Sequence, residues 1–102
     1  MEIKKWNYKG YEIEESLKPS AKKFQYFLRV MKEGKKTCTY CIWIEDATPD
    51  KFEEIINSER ESWITWVKEK IDQGILNNLA LKVSASGKEE IKLSEISEKV
   101  DF

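Results

Sequence analysis

Apolar and polar side chains alternate with a period of two through most of the first 45 residues, and this pattern restricts what the segment can form. Successive side chains of a β-strand point to opposite faces, so alternation buries one face of a sheet and leaves the other in water. A helix would instead need apolar residues at every third or fourth position. Turn signals interrupt the alternation at Lys9-Gly10, at Pro19-Ser20 and near Gly34. The sequence therefore predicts two β-hairpins, which together give four antiparallel strands.

The first hairpin is expected to turn at Lys9-Gly10, because a glycine supplies the positive φ that a two-residue turn requires. This turn fixes how the flanking strands pair. The expected cross-strand pairs are Tyr8 with Tyr11 and Trp6 with Ile13. All four side chains then fall on one face of the hairpin, and the opposite face is polar.

The second hairpin has the clearest alternation in the chain, but its turn has two interpretations. A two-residue turn at Glu33-Gly34 would place Val30 and Leu28 beside threonines of the next strand. A three-residue loop over 32–34 would pair apolar residues with one another, with Gly34 at the positive-φ position of a bulge. A slip of one residue turns every side chain to the other face, so the apolar pattern favours the three-residue loop. The expected pairs are Leu28 with Cys38, Tyr26 with Tyr40 and Phe24 with Ile42.

Helical signals begin after residue 47. Thr48 is a favourable N-cap residue, and Pro49 suits the first position of a helix. Gly74 suits the position just after a helix end, because it accepts a left-handed backbone. The apolar residues at helical spacing, which mark the expected buried side, are Phe52, Ile55, Ile56, Trp63, Ile64, Val67 and Ile71.

A break is expected inside this helical segment. One straight helix would place the charged residues Glu59 and Lys70 on its buried side. Ser58 and Glu61 match a capping box, in which two side chains satisfy free N–H groups at the start of a helix. The sequence therefore predicts two consecutive helices, over residues 49–57 and 59–73.

The segment after residue 74 carries weaker patterns. The expected elements are a strand at Leu79, Leu81 and Val83, a loop over 84–88, a short strand at Ile91 and Leu93, and a terminal turn capped by Ser94 that carries Ile96 and Val100. A sheet followed by helices is typical of the α+β class. We therefore predict a single α+β domain over residues 1–102. It has an antiparallel four-stranded sheet of two hairpins, two consecutive helices packed on one face, and a short β or irregular C-terminal segment.

The helices are expected to cover the apolar face of the sheet. Their contributions to this core are Phe52, Ile56, Trp63 and Val67. The strand residues that they cover are Trp6, Tyr8, Tyr11, Ile13, Phe24, Tyr26, Leu28, Val30, Tyr40, Ile42 and Ile44.

The residue types argue against catalysis. The chain contains no histidine, so neither imidazole catalysis nor imidazole ligation of a metal is available. Cys38 and Cys41 form a C-x-x-C motif, but a reactive pair needs a helix N-terminus, and here the motif lies in a predicted strand whose alternation separates the two thiols. Two cysteines alone do not complete a zinc site. We expect a protein that is not an enzyme and that uses no cofactor or metal.

The sequence also limits the compartment. Its longest uninterrupted apolar run is Cys41–Ile44, far shorter than the ~18 residues of a membrane-spanning helix. The N-terminus lacks the apolar stretch of a secretory signal, and two cysteines are too few for a disulfide framework. We expect a cytoplasmic protein without a membrane partner.

One face of the second hairpin is the expected binding surface. The side chains that point away from the helices there are Gln25, Phe27, Arg29, Met31 and Trp43. Large aromatics on an open sheet need either a cover or a partner. Either the C-terminal segment covers them with Leu81, Ile91 or Leu93, or they form the centre of an interface. We expect a small protein-binding module, such as an adaptor, regulatory protein or inhibitor, and the sequence leaves homo-oligomerisation open.

Single-stranded nucleic acid is the alternative partner. Residues 1–36 hold ten basic and five acidic side chains, interleaved with aromatics, and such a combination is typical of stacking platforms. The aromatics concerned are Trp6, Tyr8, Tyr11, Phe24, Tyr26 and Phe27. However, the net charge of the whole chain is −1, and most of these aromatics fall on the predicted core face. We therefore place nucleic acid behind a protein partner.

Overall fold

A computed structural model describes residues 4–19, 23–45, 47–84 and 87–95. These residues form one six-stranded mixed sheet with a long helix across one face. The strands are β1 (Lys4–Tyr8), β2 (Tyr11–Pro19), β3 (Lys23–Lys32), β4 (Lys35–Glu45), β5 (Leu79–Ser84) and β6 (Gly87–Lys92), and the helix is α1 (Phe52–Asp72). Short 3₁₀ turns span Pro49–Lys51 and Leu93–Glu95.

The α+β class is confirmed, but the predicted four-stranded antiparallel sheet with two helices is wrong. The strands lie side by side in chain order, and β5 and β6 extend the same sheet. β5 runs parallel to β4, whereas all other neighbours are antiparallel. A parallel neighbour requires a long crossover connection, and α1 provides it by carrying the chain back along the sheet. The predicted turn with Ile96 and Val100 lies outside the described residues.

The first hairpin matches its prediction. Tyr8 lies opposite Tyr11, and Trp6 lies opposite Ile13. Lys9 and Gly10 have φ values of 48° and 85°, so both turn residues adopt the left-handed conformation of a type I′ turn. The turn and the alternation agree here, and together they fix the pairing.

The predicted register of the second hairpin is wrong. Its turn is the two-residue turn at Glu33-Gly34, with φ values of 53° and 77°. A β-bulge follows, because Met31 pairs with Lys36 whereas Val30 pairs with Cys38. The bulge adds one residue to β4, which returns the apolar side chains of both strands to the same face. As a result, the pairs are Leu28 with Tyr40, Tyr26 with Ile42 and Phe24 with Ile44.

The predicted helix break at Ser58 is also wrong, because α1 is continuous through this position. The Ser58 hydroxyl donates a hydrogen bond to the backbone carbonyl of Ile55 at 3.2 Å, so it bonds to the preceding turn and caps nothing. The helix instead starts after the 3₁₀ turn that begins at Pro49, and Thr48 makes no side-chain cap. Gly74, with a φ of 73°, closes the helix as predicted.

The charged residues that argued against one helix are neutralised by β6. Glu59 forms an ion pair with Lys88 at 3.8 Å, and Lys70 forms one with Glu90 at 2.6 Å. Trp66 also donates its indole N–H to Glu90 at 2.9 Å. The flank of α1 over β6 is therefore polar, and a straight helix can carry these charges.

Substitutions at Ser58 distinguish a helix interior from a helix start. In an interior, Ala is the best helix former and Gly the worst of the three, so Ser58→Ala should stabilise by up to about 0.5 kcal/mol and Ser58→Gly should destabilise similarly. At an N-cap Ser is the best of the three and Ala the worst, so Ser58→Ala would cost about 1 kcal/mol and Ser58→Gly less. Urea unfolding of both variants measures the order. A variant series in which Ser58→Ala is the least stable would contradict a continuous helix.

The main core lies between α1 and the sheet, as predicted. Trp63 is at its centre, with ring centroids 5.9 Å from Phe24 and 5.2 Å from Tyr26. Phe52, Ile56 and Val67 extend the contact along the helix. All the strand residues expected in this core are buried in it or packed against it.

Candidate functional site

The sheet face opposite α1, here called the second face, carries the five residues expected to bind a partner. Gln25, Phe27 and Trp43 are buried there, with 7%, 1% and 3% of their surface exposed. Arg29 and Met31 are half-buried. The structure therefore keeps all five near one another on β3 and β4, but solvent reaches mainly the last two.

A small cluster, here called the second-face core, covers part of this face. It consists of Phe27, Cys41, Ala80 and Leu93, with Ile91 packed against it. Leu93 lies in the 3₁₀ turn after β6, and its backbone N–H donates to the carbonyl of Asn78 at 3.0 Å. The interpretation in which the C-terminal segment covers Phe27 is confirmed for Ile91 and Leu93, whereas Leu81, also predicted to cover this face, packs against the main core.

The rest of the second face stays polar and open over β1, β2 and the end of β3. This open strip consists of Lys5, Asn7, Glu12, Glu14, Ser16, Arg29 and Met31. Lys5 lies 4.0 Å from the carboxylate of Glu14, a weak surface ion pair. The open strip is the part of the sheet that a partner could contact.

Arg29 has a fixed position at the border between the open strip and the second-face core. Its Nη1 donates a hydrogen bond to the Ser16 hydroxyl at 2.6 Å, and its guanidinium lies 5.0 Å from the ring centroid of Phe27. Glu14 is directly opposite Arg29 in the sheet register, yet its carboxylate lies beside Lys5. The guanidinium is therefore oriented by a neutral hydroxyl and a ring, and its remaining donors can meet a carboxylate.

Glu15, to which the sequence patterns assigned no role, has four side-chain hydrogen bonds within the described part of the chain. It is 1% exposed and accepts hydrogen bonds from Trp6 Nε1 at 2.8 Å and from the Tyr26 hydroxyl at 3.0 Å. Arg60 on α1 binds it with two nitrogens, at 2.9 Å and 2.6 Å. These contacts occupy both carboxylate oxygens. Glu15 therefore joins β1, β2, β3 and α1, and its oxygens are not available to a substrate.

The same contacts shift the pKa values of the partners of Glu15. Burial, followed by the negative charge of Glu15, raises the pKa of Tyr26 to about 12. The hydrogen bonds to Glu15 raise the pKa of the Arg60 guanidinium. Both donors thus keep their protons at neutral pH.

The two cysteines are buried in separate clusters. Cys38 belongs to the main core and Cys41 to the second-face core, so their thiols point to opposite sides of the sheet, as predicted. Burial raises the pKa of both thiols, that of Cys41 to about 12. Neither thiol has the lowered pKa that is typical of reactive cysteines. In the described ranges, no group of three or more metal-ligating side chains comes together.

The aromatics that suggested nucleic-acid binding divide into two groups. Phe24, Tyr26 and Phe27 are buried. Those nearer the β1 edge are half-buried beneath lysines: the Lys68 ammonium lies 5.6 Å from the ring centroid of Trp6 and 5.2 Å from that of Tyr8. Lysines that cover rings in this way compete with bases for the same surfaces.

Comparison with protein-family models, with curated proteins and with solved structures finds no match. No helix in the described part of the chain is both long enough and apolar enough to cross a membrane.

Proposed function

We propose that this chain is a non-catalytic protein-binding module, an adaptor, regulatory protein or inhibitor, that contacts its partner through the open strip around Arg29 and Met31. The observation that carries this proposal is the guanidinium of Arg29. It is half-exposed, yet Ser16 and the Phe27 ring hold it in one orientation. An arginine ordered before binding loses less side-chain entropy when a partner docks.

The chemistry of the strip defines the partner. Arginine and methionine are enriched at the centres of protein interfaces, and an arginine binds a carboxylate with two parallel hydrogen bonds. Met31 follows Arg29 on the same side of β3 and is also half-buried. We infer a partner surface with an aspartate or glutamate for Arg29 and an apolar side chain for Met31.

The three buried residues of the predicted site support this surface from beneath. Phe27 carries the guanidinium on its ring. Gln25 and Trp43 lie opposite each other on β3 and β4 and extend the same face. In this proposal they shape the strip without contacting the partner.

The cytoplasm is the proposed location. Two cysteines are too few for the disulfide framework of a small secreted domain, and these two lie on opposite faces of the sheet, where they cannot bond to each other.

Arg29→Gln tests the proposed function. In capture experiments from cells of the source organism, the variant should fail to retain a protein that the wild-type chain retains. With that protein purified, the dissociation constant of its complex with the variant should be about thirtyfold higher than with the wild type, as for a residue at the centre of an interface. Lys18→Gln is the matched control, because it removes an exposed cation that lies on β2, on the same face of the sheet as Arg29. Both variants should unfold at nearly the wild-type temperature.

Equal capture by wild type and Arg29→Gln would contradict the proposal. The nucleic-acid alternative makes a different prediction, namely oligonucleotide binding that weakens steeply as salt rises. Such binding, together with undiminished protein capture, would assign the function to the basic strands instead.

A further inference from the structure

β1 is an edge strand whose outward backbone groups are arranged for pairing. Within the described residues it pairs with β2 alone. Residues flanking a two-residue turn exchange both backbone hydrogen bonds, so Tyr8, Trp6 and Lys4 direct theirs towards β2. Lys5 and Asn7 therefore direct their N–H and C=O groups outward. We propose that β1 pairs with β1 of a second copy of this chain, antiparallel and centred on Trp6, to form a two-fold dimer.

The strand is already fixed in the conformation that this pairing needs. The Trp6 indole donates to Glu15 at 2.8 Å, beneath the sheet. The Tyr8 hydroxyl donates to the two carboxylate oxygens of Asp72 on α1, at 2.9 Å and 3.0 Å. Lys9 forms an ion pair with the same carboxylate at 2.5 Å. A strand held at its centre and at its C-terminal end loses little conformational entropy when a second strand adds to it.

The order of residues in β1 determines the register. Exposed lysines usually prevent edge pairing, because they would face one another. In β1 the two lysines, Lys4 and Lys5, occupy one end, and Asn7 and Tyr8 occupy the other. Antiparallel pairing centred on Trp6 places Lys5 opposite the partner's Asn7 and Lys4 opposite the partner's Tyr8. No lysine then faces a lysine, and the two half-buried Trp6 rings lie opposite each other.

The other edge of the sheet lacks this complementarity. β6 carries Glu89 and Glu90 side by side at its centre. Antiparallel self-pairing centred on Glu89 or on Glu90 would place that carboxylate directly opposite its own copy, which is unfavourable. The charge order of the two edge strands therefore favours β1 as the pairing edge.

Pairing through β1 would leave the proposed function intact. The two-fold axis would be perpendicular to the sheet, so both copies would present their open strips on the same side. Arg29 lies on β3, two strands away from the pairing edge. If the chain does not dimerise, partner binding by Arg29 is therefore unaffected. If Arg29 does not bind a partner, dimerisation through β1 is likewise unaffected.

Sedimentation equilibrium of the wild-type chain and of Asn7→Pro tests the dimer. We expect the wild-type chain to dimerise with a dissociation constant below about 100 µM. Proline at position 7 removes an outward N–H and no hydrogen bond to β2, so Asn7→Pro should fold but sediment as a monomer. Lys88→Pro, which places a proline on the opposite edge strand, is the control and should dimerise like the wild type.

Charge changes at position 7 test the register. Asn7→Glu would face the partner's Lys5 twice per dimer and should tighten dimerisation by about twofold to thirtyfold, whereas Asn7→Lys should weaken it comparably. Within one copy Asn7 lies opposite Glu12, so Asn7→Glu should lower the stability of the monomer and Asn7→Lys should raise it. A wild-type chain that stays monomeric up to about 100 µM, or a dimer that survives Asn7→Pro or ignores both charge changes, would overturn the proposal.

Discussion

Replacing Glu15 with glutamine should lower the free energy of unfolding by about 3 kcal/mol, one of the two largest effects that we expect from a single substitution. The variant keeps the shape of the side chain but removes its charge, and it turns an NH₂ group towards Trp6, Tyr26 and Arg60, of which only the Tyr26 hydroxyl can accept a hydrogen bond. Arg60 then loses its charged partner. Breaking a buried ion pair costs about 3–5 kcal/mol, and the lower end applies because 25% of the Arg60 side chain remains exposed. Chemical denaturation at neutral pH measures the loss.

Glu14→Gln is the matched control for this prediction. It makes the same chemical change one residue earlier, at a carboxylate that is partly exposed and only 4.0 Å from a surface lysine. We expect its effect to stay within about 0.5 kcal/mol. If the two variants were equally stable, Glu15 would not hold β1, β2 and β3 to α1 as described.

Phe27→Ala should destabilise the protein by about 3–5 kcal/mol. The ring is 1% exposed, so its removal loses apolar burial and leaves a cavity in the second-face core. The same change removes the ring beneath Arg29. Phe27→Leu retains most of the volume and is expected to cost less than half as much. Thermal or denaturant unfolding of the two variants gives the comparison.

Leu93→Ala tests whether the C-terminal 3₁₀ turn creates this burial. Leu93 packs in the same cluster as Phe27, so its truncation should cost about 2–5 kcal/mol. The double variant should be less destabilised than the two single effects added together, because both remove the same contact. A neutral Leu93→Ala would show that something other than the C-terminal segment buries Phe27.

The first hairpin was predictable because all its determinants are local. Lys9-Gly10 forms the turn, and the alternation on either side agrees with it. In the second hairpin the face of every side chain was also predictable, but the register was not. A two-residue turn followed by a bulge near Met31 keeps the apolar side chains on one face, and so does a three-residue loop. The apolar pattern alone therefore does not distinguish the two arrangements.

The unbroken helix was not predictable, because the evidence for it comes from distant parts of the chain. Glu59 and Lys70 contradict a straight amphipathic helix until their partners on β6 are known. The capping-box pattern at Ser58 was a coincidence of sequence. Likewise, the alternation at residues 79–83 predicts a strand but carries no information about which strand it joins, and so the parallel pairing with β4 was missed.

The candidate site was predictable in part. The alternation placed Arg29 and Phe27 on the face away from the helices, which the structure shows. It could not decide whether Leu93 covers them, since that contact joins distant segments. For Glu15 a signal does exist: it lies between Ile13 and Leu17 on the apolar side of β2. A carboxylate at such a position requires buried donors, and the sequence alone did not identify Arg60 as one of them.

The parallel pairing of β5 with β4 has a consequence for the order in which the protein folds. The first four strands pair with neighbours in sequence, so their loops close at low entropic cost. Tyr40 meets Leu79 only after the whole of α1 has crossed the sheet, and contacts of such sequence separation form slowly. Ala80 and Leu93 therefore reach Phe27 late. Until they do, a growing chain exposes an apolar strand face on which another unfinished chain can aggregate.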